Sequence, residues 1–247
     1  IRLSLVGSEM CIRDSPRASR TMPFVAKVTG NQIIKAGTLL MLGYSIDEVR
    51  NKTKYLSSSS NKVAIKKAIF PWSRFPAEDT MLGPEMKATG EVLGVGKEFG
   101  TALNKAYAAA GVEINNKEKG IFVTLSDSEK PNFIQTVNKY LELGFTLYST
   151  EGTGKFLKTN GIDSVIVGKA DDLGQTSLTI IEDKLVSLVI NTPTYANELS
   201  DGWKIRRLSH ETGVAVVSSV READAFIEAF LNQNLVLDDL EVIQDVS

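Results

Sequence analysis

The stretch Tyr148-Ser149-Thr150-Glu151-Gly152-Thr153-Gly154-Lys155 decides how this chain is read. It joins an apolar strand, Phe145–Tyr148, to a helix over Thr153–Asn160 that Gly161 closes. In an open parallel sheet, ligands sit outside the carboxyl ends of the strands. A Gly-rich turn there lets backbone N–H groups approach an anion, and the helix N-terminus adds partial positive charge. Thr150 and Thr153 would add hydroxyl donors, and Lys155 or Lys130 a full charge. The segment reads as a phosphate or carboxylate cradle, with an ordinary polar-capped strand–helix turn as the alternative. It is not a Walker loop, because the G-x-x-x-x-G-K-[ST] spacing is missing.

Outward from this turn, strands and helices alternate. Gly120–Leu125, Ser164–Val167, Leu185–Ile190 and Val214–Val217 are the other strands. Ser164–Val167 and Leu185–Ile190 are apolar without alternation, as in a sheet covered on both faces. Helices are expected at Lys130–Leu143, Gly202–Thr212 and Ala223–Leu231. In the first, Pro131 sits where a missing N–H costs little, and Phe133, Val137, Tyr140 and Leu141 form an apolar stripe. Residues 120–235 therefore predict an α/β domain, a doubly wound five-stranded parallel sheet.

Upstream, the pattern from Pro16 to Tyr55 is helical, with Ser45 a candidate cap before Ile46-Asp47-Glu48. Ala64–Ile69 reads as a strand, Pro71–Pro84 as a long loop and Lys97–Ala110 as an Ala-rich helix. Gly90–Gly96, GEVLGVG, reads either as a phosphate loop or as a tight turn. Val112–Glu118 is polar and reads as a linker, and Leu235–Ser247 as an acidic tail or edge strand. Ser4–Ser15, SLVGSEMCIRDS, resembles translated sequencing-adaptor read-through. Residues 1–15 are accordingly expected to be non-native, and no function is placed on Cys11.

Composition narrows the function classes. The 247 residues are 43% hydrophobic and 23% charged, which suits a globular protein. Lys+Arg 28 against Asp+Glu 30 gives a net charge of −2 at pH 7, so no overall positive field draws in nucleic acid. One cysteine and one histidine exclude an internal disulfide, a Cys-based zinc site and a multi-histidine metal site. Apolar runs fall far short of the ~20 residues of a membrane helix.

Two further β–α junctions carry polar groups. Asn191-Thr192-Pro193-Thr194 follows the most apolar strand, and Ser218-Ser219 follows Val214–Val217. Both belong at the same carboxyl edge as Thr150. Arg206-Arg207 on the Gly202 helix read as solvated or paired with acids rather than phosphate-facing. His210, with no second His or Cys nearby, reads as a surface or core residue, and Asp171-Asp172 as a solvated pair.

Longer runs match a known family. Pro16-Arg17-Ala18-Ser19-Arg20-Thr21 with Pro23-Phe24-Val25 and Lys27, then Phe75-Pro76 and Leu82-Gly83-Pro84-Glu85-Met86-Lys87-Ala88-Thr89-Gly90-Glu91-Val92, resemble the end of the second ATP-grasp domain of the carbamoyl-phosphate synthase large subunit. Gly120–Leu231 resembles that family's C-terminal methylglyoxal-synthase-like regulatory domain. The resemblance implies an ATP-grasp remnant at 16–112, preceding a linker at 113–119, the regulatory domain at 120–235 and a tail at 236–247. It also implies a glutamine-hydrolysing ligase that makes carbamoyl phosphate for arginine and pyrimidine biosynthesis. The parent would use ATP with Mg²⁺ or Mn²⁺ and a glutaminase small subunit in the cytoplasm.

Arg17 matches the family arginine that approaches the transferred phosphate. The metal-binding Glu and Asn before it are replaced by Arg13 and Ser15, so the chain alone is expected to lack carbamate-kinase and synthase activity. In the regulatory domain the resemblance assigns a nucleotide-monophosphate effector site, of the UMP or IMP class. It takes in Thr124, Lys130, Thr150, Gly152, Thr153, Lys169, Asn191, Thr192 and Ser218. The domain is also expected to associate subunits. Departures are Asp172-Leu173-Gly174-Gln175-Thr176-Ser177 in place of a run with an extra basic residue, which leaves nucleotide choice open, and Lys67 in place of a Glu used near ornithine. A lysine there implies no ornithine activation. A stand-alone methylglyoxal synthase, acting on dihydroxyacetone phosphate, is the alternative of a different class. Asp171 or Asp172 would supply its carboxylate, but the G-G-D context is absent.

Overall fold

A computed structural model describes residues 6–7, 10–11, 19, 21–54, 62–70, 72, 80, 90–112, 114, 120–193 and 200–232. The chain divides into two compact units, Ile1–Asn61 with Asp238–Ser247, and Lys62–Leu237. In the first unit, β1 (Val6–Gly7) pairs antiparallel with β2 (Met10–Cys11). Three helices follow, α1 (Thr21–Thr29), α2 (Ile33–Met41) and α3 (Ile46–Lys52). Ser45 starts α3 as its residue type predicts. Its Oγ accepts from the Glu48 amide at 3.4 Å while Glu48 Oε2 accepts from the Ser45 amide at 2.8 Å, a reciprocal capping box.

The second unit begins with an antiparallel pair, β3 (Val63–Ile69) and β4 (Gly90–Gly96), under α4 (Phe99–Ala109). Gly90–Gly96 is thus a strand, neither a phosphate loop nor a tight turn. Its glycines serve close packing: a Cβ on Gly94 would lie 2.1 Å from the Ala102 carbonyl oxygen of α4. Asn104 of α4 donates to the carbonyls of Ala229 and Asn232 at 2.7 and 2.8 Å, which ties the helix to the end of the unit's last helix.

The main sheet comprises β5 (Gly120–Thr124), β6 (Thr146–Ser149), β7 (Val165–Ile166), β8 (Val186–Asn191) and β9 (Ala215–Val217). All its pairings are parallel, in the order β7-β6-β5-β8-β9. Helices α5 (Lys130–Glu142), α6 (Glu151–Thr159), α7 (Thr179–Glu182) and α8 (Asp201–Thr212) link the strands, and α9 (Val220–Leu231) follows β9. The expected doubly wound parallel sheet is present.

Alternation in β5 and β8 feeds two cores. Ile121, Val123, Leu188 and Ile190 pack with Phe133, Tyr140, Phe226 and Phe230 on one face. Phe122 and Val189 pack with Ile180, Ile181 and Ile205 on the other. Both faces being covered accounts for the unbroken apolar run of β8. At β7 the expectation fails. Only Val165–Ile166 pair, as an edge strand, and both side chains are exposed, at 42% and 53%. An apolar run with no alternation does not separate a central strand from an edge. Within the expected polar linker Ile114 is buried.

Candidate functional site

The strand register builds the site. Thr124 of β5 stands opposite Asn191 of β8, Val123 opposite Ser149 of β6, and Ile190 opposite Val217 of β9. Continuing the alternation, Thr150, Thr124, Asn191 and Ser218 form a polar row across four strand ends. They lie on the face of Phe122 and Val189, which α8 covers. The turn at the β6 end of the row is open: Glu151 and Gly152 are exposed, and nothing lies within 4 Å of where a Gly152 Cβ would be. A ligand atom can reach the backbone N–H groups of the first turn of α6 there.

The other two threonines hold the frame. Thr153 Oγ1 accepts from the Leu125 amide at 3.1 Å and lies 3.3 Å from the donating Thr150 hydroxyl. Thr192 Oγ1 accepts from the Ser126 amide at 2.8 Å, and the Thr192 amide donates to the Thr124 carbonyl at 3.1 Å. These bonds pin the β5–α5 loop to both neighbouring strand ends. Ser126 and Ser128, 3.2 Å apart through their hydroxyls, join the cluster. Sequence reading passed over them, although they directly follow a strand at the same edge.

The cations divide. Lys130 Nζ is 2.5 Å from Asp127 Oδ1, an ion pair that holds the aspartate below its usual pKa. Lys155 pairs with Glu151 at 2.6 Å, which lowers the Glu151 carboxyl, with a smaller contribution from Lys169. The charge of Lys169 thus also acts on the first turn of α6. The loop after β7 is folded on itself, with the Lys169 amide donating to Asp172 Oδ2 at 2.7 Å. Asp171 bonds Lys204 of α8 at 2.7 Å. Asp171 and Asp172 are both exposed, as expected of a solvated pair, and each also has a partner. Arg206 corrects the sequence reading most clearly. It is 4% exposed rather than solvated, and its Nη1 donates to Asn191 Oδ1 of the row at 2.6 Å. Arg207 is also buried, with Glu211 at 2.7 Å and the Trp72 carbonyl at 2.9 Å as acceptors.

Ser218 closes the row but opens on a second space. A cavity of about 420 Å³ is lined by Lys67, Tyr107, Arg206, His210, Ser218 and Glu222, among others. Lys67 Nζ lies 3.9 Å from the Tyr107 ring centroid. Burial lowers the Lys67 pKa and Glu222 pulls it back up. Burial pushes Tyr107 well above its usual range, and neighbouring Glu222 adds to the shift. His210 packs 5.7 Å from the Trp72 ring, and burial, with Lys67 and Arg207, lowers its pKa to about 4. Arg13, Ser15 and Arg17 lie outside the described residues. Among the described residues, no helix is long and apolar enough to cross a membrane.

Residues 132–218 match the family model of the MGS-like domain. That span contains Thr150, Gly152, Thr153, Lys169, Asn191, Thr192 and Ser218. Over 229 residues the chain is 37% identical to the carbamoyl phosphate synthase large chain, C-terminal section, of Aquifex aeolicus, covering 87% of this chain and 42% of that protein. The corresponding section from Methanocaldococcus jannaschii is 36% identical over 231 residues, covering 90% and 37%. The carbamoyl phosphate synthase large chain of Lachnoclostridium phytofermentans is 36% identical over 222 residues, covering 90% and 21%. The chain spans less than half the length of each of these relatives.

Proposed function

Because this chain carries an MGS-like domain and belongs with the C-terminal part of carbamoyl phosphate synthase large chains, we propose that it is the effector-binding end of such a ligase. The parent reaction makes carbamoyl phosphate from bicarbonate, glutamine-derived ammonia and ATP, with a glutaminase small chain as partner. Subunit association through the regulatory domain, a cytoplasmic location and the divisions at 113–119 and 235 belong to the same proposal. The site would take a nucleoside monophosphate of the UMP or IMP class, its phosphate at the Thr150–Thr124–Asn191 row.

The observation that carries this is the row itself, four polar strand ends beside the open Gly152 turn, of which Thr150, Asn191 and Ser218 lie inside the stretch matched by the family model. Stand-alone methylglyoxal synthase is the less supported reading. Asp171 and Asp172 are bonded to Lys204 and to the Lys169 amide, and the relatives are synthase large chains. Lys67, at the rim of the second cavity, would repel an amine activator such as ornithine.

The deciding experiment is a thermal-shift titration of the 247-residue chain with UMP, IMP and phosphoribosyl pyrophosphate. At a hundred times the dissociation constant, binding adds about 2.7 kcal/mol to stability by mass action. The melting temperature should rise by several degrees with at least one nucleotide, and no shift with any would remove the proposal. The donors aligned with the family's metal site, Arg13 and Ser15, include no carboxylate and do not fit a divalent cation. The isolated chain is accordingly expected to show no bicarbonate-dependent ATP hydrolysis. A phosphate-release assay that finds it would overturn that part.

A further inference from the structure

Arg206 does not stand in the polar row, yet it decides what the row presents. Its guanidinium is buried and meets Asn191 Oδ1 at 2.6 Å. Gly202, one turn earlier in α8, makes room for that meeting. A Cβ there would lie 3.1 Å from Arg206 Nη1 and 3.5 Å from Asn191 Nδ2. An arginine carries only donors, so the atom of the Asn191 carboxamide that faces it must be the oxygen. Turning the amide over would set donor against donor inside a buried contact. The Asn191 NH₂ is thereby fixed as the group left for the ligand.

We infer that Arg206 is a positioning residue of the cradle: it holds Asn191 by its oxygen and so presents the amide NH₂ to an acceptor oxygen, that of the phosphate of a nucleoside monophosphate. This rests on the proposal that the row binds phosphate. Thr150 and Thr124 hydroxyls can donate or accept, and alone they would not discriminate between an anion and a neutral polar group. The NH₂ end of a carboxamide held by its oxygen can only donate. The sign of the site is set from beneath by a residue that need not touch the ligand.

Asn191→Asp separates holding from presenting. The carboxylate keeps the shape and strengthens the bond to Arg206, but it offers no donor. In the full chain we expect an unchanged or higher melting temperature and at least tenfold weaker UMP and IMP binding by calorimetry. Arg206→Met should also lose at least tenfold, and Arg206→Lys, which keeps a donor, should recover part of it. Nucleotide binding by Asn191→Asp or Arg206→Met within threefold of wild type would overturn the inference. A ligand-independent readout is the Asn191 side-chain amide NMR signal, assigned by its loss in Asn191→Asp. Loss of the guanidinium bond to its oxygen should move that signal in Arg206→Met, and an unmoved signal there also refutes the positioning role. A wild-type chain silent to every nucleotide defeats the cradle proposal itself, and the amide signal then still decides whether Arg206 holds Asn191.

Discussion

Gly94→Ala is expected to cost about 3 kcal/mol, at the upper end for overpacking, because the new methyl group meets backbone rather than a side chain that can swing away. Its Cβ would lie 2.1 Å from the Ala102 carbonyl oxygen and 2.6 Å from the Ala106 amide nitrogen. Relief requires α4 to move off β4. That motion is opposed on the far side, where Gly100 of α4 lies so close to α9 that a Cβ there would stand 2.2 Å from the Glu228 carbonyl oxygen. Asn104 adds its two bonds to the end of α9. Strand, helix and helix are stacked at backbone distance, so the strain has no short path out. For a unit of this size the melting temperature should fall by about 6 to 12 °C. Gly152→Ala is the matched control: it adds the same atom in a helix but meets open space, and should gain up to ~1 kcal/mol. A Gly94→Ala chain that melts with wild type would show that α4 does not sit at backbone distance from β4.

The same glycines mark where sequence reading stops. A run such as GEVLGVG signals that backbone must come close to something, and the spacing does not say whether that is an anion or a helix. Ala102 and Ala106, both fully buried, are the helix side of the answer and lie a few residues downstream. The C-terminal sheet was legible because its strand runs are apolar and its turns polar, and the helix stripes of Phe133, Val137 and Tyr140 fit a period of 3.6. Ser45 was legible as a cap because the capping bond is local.

Thr150, Thr124 and Asn191 could be placed at one edge because parallel connectivity dictates it, and the structure sets them side by side. What they bond to could not be read. That Thr153 and Thr192 would spend their oxygens on the Leu125 and Ser126 amides depends on loop register. Arg206 shows the same limit. In sequence it is one of two adjacent helical arginines, and only the packing of α8 over the row tells which one reaches Asn191.

Acidification should destabilise the chain between about pH 6.5 and pH 4 through His210, the sole histidine in the sequence. Its ring lies against Trp72, on the wall of the second cavity, and burial, then Lys67 and Arg207, lower its pKa to about 4. Arg206 and Glu222 line the same cavity. A histidine in the unfolded chain takes up its proton near pH 6.5. The folded value is depressed, so the unfolded state binds the proton first as the pH drops. Stability attributable to the neutral ring is therefore complete above about pH 6.5 and is lost as the pH falls toward the folded pKa. Full linkage sets a ceiling of about 2 kcal/mol lost by pH 5, and partial solvent contact of the ring reduces it. His210→Gln keeps a polar, neutral side chain and removes the titration. Urea denaturation at pH 7 and near pH 5.3, where most unperturbed carboxylates remain ionised, isolates the term. Wild type should lose stability between the two pH values and His210→Gln should lose less. Equal losses in the two proteins would mean that His210 protonates as freely in the folded chain as in the unfolded one, and would overturn the effect assigned to its burial beside Lys67 and Arg207.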